Sequence, residues 1–147
     1  MEDFNINWIA VVVAAIVPMI IGFIWYNPKV FGIAWMRESG MTEEKAKQMN
    51  PGKTYGLALV FAFILAIAAV WPEVMLGGAP GKAHGVAPYL TFKHGALHGA
   101  LLGLLVILPV FATNALFEQK SFKYVAINVG YWVVTLAIMG GIINAWQ

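Results

Sequence analysis

The sequence predicts an all-α membrane protein, a bundle of four transmembrane helices, and three observations carry that prediction. Four apolar runs, about 6–26, 54–76, 90–114 and 124–146, each reach the roughly 20 residues that a helix needs to cross a hydrocarbon core. Only 11% of the 147 residues are charged and 61% are hydrophobic, whereas a soluble domain carries about 25% and about 45–50%. So little charge could not cover a water-facing surface. Small residues recur four apart in every run, the spacing that lets helix backbones approach closely where lipid removes the hydrophobic drive.

The composition also excludes several classes. A net charge of +2, with no basic tract interleaved with aromatics, gives no footprint for nucleic acid. With no cysteine there is no disulfide, no thiolate metal site and no Cys nucleophile, and no lipoprotein anchor is expected. The start, Met1-Glu2-Asp3, is acidic where a signal peptide is basic, so the first apolar run is expected to stay in the mature protein.

Each run has the aromatic girdle of a spanning helix. Trp8 and the Trp25-Tyr26 pair bracket the first, Tyr55 and Trp71 the second; Tyr89 precedes the third, and Tyr124 and Trp146 bracket the fourth. Trp132 lies inside its run and is expected to pack on another helix. The small-residue stripes are Ala10, Ala14, Pro18 and Gly22 in the first run and Ala58, Ala62 and Ala66 in the second. In the third they are Gly95, Gly99 and Gly103, and in the fourth Ala137, Gly141 and Ala145. Pro18 and Pro109, inside their runs, each remove a backbone donor and are expected to kink the helix. Short connections make sequence neighbours antiparallel, so the whole chain, 1–147, reads as one antiparallel transmembrane domain.

The first connection is more than a linker. Residues 28–40 mix Val30, Phe31, Ile33, Trp35 and Met36 with Arg37 and Glu38 and end at a glycine suited to stopping a helix, which predicts a short interfacial helix floating at headgroup depth. Thr42 then caps a second short helix whose positive end is matched by Glu43 and Glu44, and Asn50-Pro51-Gly52 is expected to stop it. The second connection, rich in glycine and proline from Gly77 to Pro88, reads as loop. The first and third connections hold seven lysines and arginines against two, Lys82 and Lys93, on the other side. That asymmetry places those two connections in the cytoplasm and both termini outside the bacterial inner membrane.

Chemistry-bearing residues are few. His94 and His98 stand one helical turn apart beside the Gly95, Gly99 and Gly103 ridge, and an ionisable group at that depth is a functional candidate. Two imidazoles at that spacing can offer nitrogens to one metal, with His84 and Glu73 on the same side as further ligands. Gly95 stands where the zinc-protease motif has its glutamate, so no hydrolytic base is supplied. A single axial histidine, His94 or His98, could hold a tetrapyrrole with Gly95 or Gly99 giving room for the ring. The other reading of the same residues is structural, with His94 at the interface and His98 bonded to a neighbouring helix. A polar path for transport is thin, consisting of Asn128, Thr135, Thr113 and Asn114 besides the histidines. No Ser-His-Asp set, phosphate loop or paired carboxylates suggest an enzyme.

The segments Phe23-Ile24-Trp25-Tyr26-Asn27-Pro28, Phe31-Gly32-Ile33-Ala34-Trp35-Met36 and Gly40-Met41-Thr42 resemble the opening signature of a bacterial integral membrane family, domain of unknown function family 1761. The stretch from Asn114-Ala115-Leu116-Phe117-Glu118 through Asn128-Val129-Gly130-Tyr131 to Gly140-Gly141 is similar to its closing half. The resemblance implies four spanning helices and carries over no catalytic or binding residue.

The sequence therefore points to a small, non-enzymatic inner-membrane protein that works by helix–helix association. Its partners are the lipid bilayer and either copies of itself or the subunits of a larger membrane complex, and no cofactor is expected. The alternative is a metal or tetrapyrrole binder, or a small ion or proton permeation unit, using His94 and His98.

Overall fold

A computed structural model of the protein describes residues 6–76 and 88–146. Regular structure among these residues is helical throughout: α1 (Trp8–Trp25), α2 (Gly32–Ser39), α3 (Glu43–Lys47), α4 (Pro51–Leu65), α5 (Trp71–Leu76), α6 (Phe92–Leu102), α7 (Leu108–Phe117) and α8 (Phe122–Ala145). A π-helical turn, Ala66–Val70, joins α4 to α5, and a second, Gly103–Ile107, joins α6 to α7. Four helices, Trp8–Trp25, Pro51–Leu76, Phe92–Phe117 and Phe122–Ala145, are thus long and apolar enough to cross a bilayer. The chain is a multi-pass membrane protein.

Side-chain caps set where these helices begin. Asn7, Asn50, Thr91 and Ser121 each accept from a backbone N–H in the first turn that follows, satisfying a donor the helix itself leaves orphaned. The second spanning helix consequently starts at Pro51, three residues ahead of the expected 54. Asn50-Pro51-Gly52 opens that helix instead of only stopping the preceding one, with Pro51 in the first turn, where its missing N–H costs nothing. The third runs on to Phe117, past the expected 114, with the Thr113 hydroxyl donating to the Pro109 carbonyl at 2.7 Å within it. Gly40 ends α2 in the left-handed region at φ 75°, and Thr42 caps α3 by accepting from the Lys45 N–H.

Both π turns end two residues before a proline. A proline ring clashes with the carbonyl four residues back, which is Ala68 for Pro72 and Leu105 for Pro109. Each turn is widened around that carbonyl, and the residue before the proline bonds five residues back, Trp71 to Ala66 and Leu108 to Gly103. Pro109 thus acts through a widened turn, and Pro72, at the end of its apolar run, does the same.

The ridges pack as follows. A Cβ on Gly95 or Gly99 would collide with the carbonyl of Gly140 or Leu136, and one on Gly103 would lie 2.9 Å from the Val133 Cα. The third and fourth spanning helices therefore run in opposite directions at backbone contact. The Phe92 ring lies over Gly141, and the Ala137 Cα lies 3.0 Å from where a Gly99 Cβ would stand. Ala10, Ala14, Ala62 and Ala66 are buried, whereas Ala58 is half-buried and lines a groove. The main core gathers Val11, Val70, Val74, Leu136, Met139 and Ile143, all at 1% exposure or less, with Trp132 packed against it. Asn7 donates to the Trp146 carbonyl and Tyr26 to Asn128, so the first and fourth helices also pair head to tail.

One end of the bundle, the connection end, holds the first and third connections; the other, the terminal end, holds Asn7 and Trp146. α5 packs on α6 towards the terminal end, but α4 and α7 barely touch towards the connection end. The helices part there around an apolar groove of about 630 Å³, lined by Ala58, Phe61 and Leu65 on one side and Val110 and Phe111 on the other, with Trp132 at its floor.

Candidate functional site

At the terminal end the second and third spanning helices meet through a polar contact. Glu73, on the first turn of α5, and His98, on the second turn of α6, place Oε1 and Nδ1 3.0 Å apart, with side-chain exposures of 36% and 15%. The glycine ridge is what brings α6 in: with its backbone pressed on α8, the imidazoles beside the ridge turn towards α5. His94 lies one turn away, its ring tilted against its neighbours with centroids 4.7 Å from His98 and 5.3 Å from Tyr89. Asn144, fully buried on α8, donates through Nδ2 to the carbonyls of Tyr89 at 2.7 Å and Thr91 at 2.9 Å. It thereby fixes the chain leading into α6, and Thr91 caps that helix.

This arrangement can do limited chemistry. In the tautomer that donates from Nδ1, the ring is oriented by a hydrogen bond to Glu73 Oε1, and Nε2 carries the lone pair. Such a pair can exchange a proton or present one nitrogen to a metal. Of the four residues expected to ligate a metal, Glu73, His94 and His98 are gathered at one end, and His84 lies outside the described residues. Among the described residues no three His, Asp or Glu side chains converge on one point. The space that Gly95 and Gly99 were expected to leave for a tetrapyrrole is taken by the backbone of α8.

A second polar cluster closes the connection end, and it absorbs the aromatic residues of the first connection. Tyr26 Oη and Trp35 Nε1 donate to Asn128 Oδ1 at 3.0 and 3.2 Å, and Asn128 Nδ2 donates to the Tyr124 carbonyl at 2.8 Å. Trp25 Nε1 donates to the Ile127 carbonyl at 3.0 Å, and the Tyr131 hydroxyl to the Pro18 carbonyl at 2.9 Å. Burial, with the phenols of Tyr131 and Tyr124 close by, holds the Tyr26 hydroxyl above its ordinary range, so it remains a donor. Gly32 fits against the turn because a Cβ there would strike the Tyr26 carbonyl. Ser121 donates to Glu38 at 2.5 Å and Lys120 to the Ser39 carbonyl at 2.9 Å. α2 is therefore latched to the bundle and does not float. The signal in the sequence was the amide of Asn128 in an apolar run, facing a signature rich in indole and phenol donors.

Those donors, Trp25, Tyr26 and Trp35, are among the residues that carry the resemblance, and the family described as "Protein of unknown function (DUF1761)" matches residues 9–144. The chain belongs to this family. A curated relative, the aspartate-proton symporter of Bacillus subtilis (strain 168), is 30% identical over 111 residues, which cover 76% of the chain and 20% of the symporter. The chain thus spans about a fifth of that relative's length. No solved structure matches the chain.

Proposed function

We propose that the protein acts by association with other helices inside the bilayer, as a homo-oligomer or as an accessory subunit of a larger membrane complex, and not as an enzyme. The observation that supports this is the uneven use of its helices. The fourth buries 56% of its most apolar stretch within the chain, the third only 11%. Beyond the glycine ridge the third helix turns Leu105, Leu116 and Phe117 outward, at 70%, 74% and 88% exposure. The symporter's far greater length is consistent with a unit of this size working among further helices. The basic-residue asymmetry supports an inner-membrane orientation with the connection end in the cytoplasm.

The absence of cysteine makes a direct test clean. Leu105→Cys and Leu116→Cys variants, treated in native membranes with a bifunctional thiol reagent, are expected to give one discrete adduct, with a second copy or with a single other membrane protein. Uncross-linked chain at both positions, with a strictly monomeric mass in nanodiscs, overturns the reading.

A second reading, a proton permeation unit, is favoured by the Glu73–His98 contact and by the name of the symporter relative. Leu136, Met139 and Ile143 are fully buried between the two polar clusters, so a path would have to form between copies. Proton flux into liposomes that is lost in His98→Ala supports this reading; unchanged flux removes it.

A further inference from the structure

We propose that the groove between α4 and α7 binds one anionic phospholipid, with its phosphate at Lys53 and an acyl chain laid along α4. Beside the 630 Å³ groove, a hollow of about 530 Å³ opens at the connection end, lined by Asn50, Lys53 and Thr54. Ala58 and Phe61 line both, so one face of α4 carries a continuous channel that is polar at one end and apolar at the other. The Lys53 ammonium is exposed and forms no ion pair among the described residues.

Length, charge and volume agree on the occupant. From Lys53 to Leu65 the helix rises about 18 Å at ~1.5 Å per residue, against about 15 Å for half of the hydrocarbon core. The channel thus begins at headgroup depth and ends near the bilayer midplane, the extent of a single lipid leaflet. A lone cation at the headgroup end with an apolar wall below it complements a phosphate carrying an acyl chain. A partner helix fits poorly, since 18 Å of helix about 10 Å across occupies roughly 1,400 Å³, more than the 630 Å³ groove and the 530 Å³ hollow together. Ala58 and Ala62 are small, but Phe61, Leu65 and Phe111 share the walls with them, so no unbroken ridge of small residues faces a partner helix.

This site goes beyond the association reading, which concerns the outward face of the third helix and is tested at different positions. The full chain, purified in mild detergent, is titrated with phosphatidylglycerol or phosphatidylcholine and followed by native mass spectrometry. One phosphatidylglycerol is expected to be retained and phosphatidylcholine lost. Lys53→Gln, at an exposed position, is expected to lower phosphatidylglycerol occupancy about fivefold, the effect of one basic residue at an anionic surface. Ala58→Trp, which narrows the groove, should abolish retention, with helical content checked by circular dichroism. Equal retention of the two lipids, or no effect of Lys53→Gln, overturns the site. So does thiol cross-linking of Phe61→Cys between copies, since a second chain would then occupy the groove.

Discussion

The third spanning helix is two different surfaces joined at a widened turn. Its terminal-end half presents Gly95, Gly99 and Gly103 and lies backbone to backbone on the fourth helix. Its connection-end half presents Val110 and Phe111 and stands away from the second helix across a groove. The second helix repeats the division: Ala62, Ala66 and Val70 are buried, while Leu57, Val60 and Phe61 are exposed. In lipid, association depends on how closely backbones can approach, so side-chain size turn by turn decides where the bundle closes and where it opens.

The closed half is the place to break this contrast most sharply. Gly99→Val drives side-chain atoms into the Leu136 carbonyl, with backbone on both sides and no flexible group to yield. It is expected to cost about 3 kcal/mol or more, at or beyond the upper end for overpacking. Gly56→Ala, in the open half where a Cβ meets nothing within 4 Å, should instead stabilise by up to about 1 kcal/mol through helix propensity. Thermal melts of both variants in one detergent check the pair. Loss of stability in the second, or none in the first, refutes the division.

Next in size is the latch. Asn128→Leu removes the acceptor for Tyr26 and Trp35 and should cost about 1–2 kcal/mol, within the range for stranding buried donors. Faster tryptic cleavage at Lys29 or Arg37 is the expected signature, and an unchanged cleavage rate would mean that α2 is held without the bonds to Asn128, by packing and by the Ser121–Glu38 and Lys120–Ser39 contacts. Glu73→Gln should move stability least, by less than about 1 kcal/mol, in line with the ~0.6 kcal/mol average for polar pairs between membrane helices. Its readout is the His98 tautomer by nitrogen NMR: a proton on Nδ1 beside the carboxylate is expected in the parent chain, and a loss of that preference in the variant. A tautomer that does not change would show that the pair is not coupled.

Much of this was legible in the chain. Apolar run length gave the four spans, and glycines four apart gave the seam, because both rest on local geometry alone. The caps at Thr42 and Gly40 were equally readable. Asn50-Pro51-Gly52 was not, since the same residues can end one helix or begin the next, and the Asn50 side chain decides by bonding forward to Lys53. The role of Trp25, Tyr26 and Trp35 was hidden because an indole or phenol at a membrane boundary has a sufficient explanation in the interface itself. The groove was hidden for a different reason: it depends on how two long helices diverge, and no single residue encodes that. Glu73 could be read only as sharing one side of the bilayer with the histidines, and the 3.0 Å distance to His98 comes from packing.

The π turns before Pro72 and Pro109 carry a consequence for phase. Each turn widens the helix by one residue, and one residue is worth about 100° of rotation. A stripe drawn at four-residue spacing through Gly95, Gly99 and Gly103 therefore cannot be continued into α7, whose faces are rephased relative to α6. Removing a single residue from 104–107 would leave the seam in place and swing Asn114, Phe111 and Val110 round the helix together. The bulge thus lets one continuous helix address two neighbours independently, with its angular offset held by a proline.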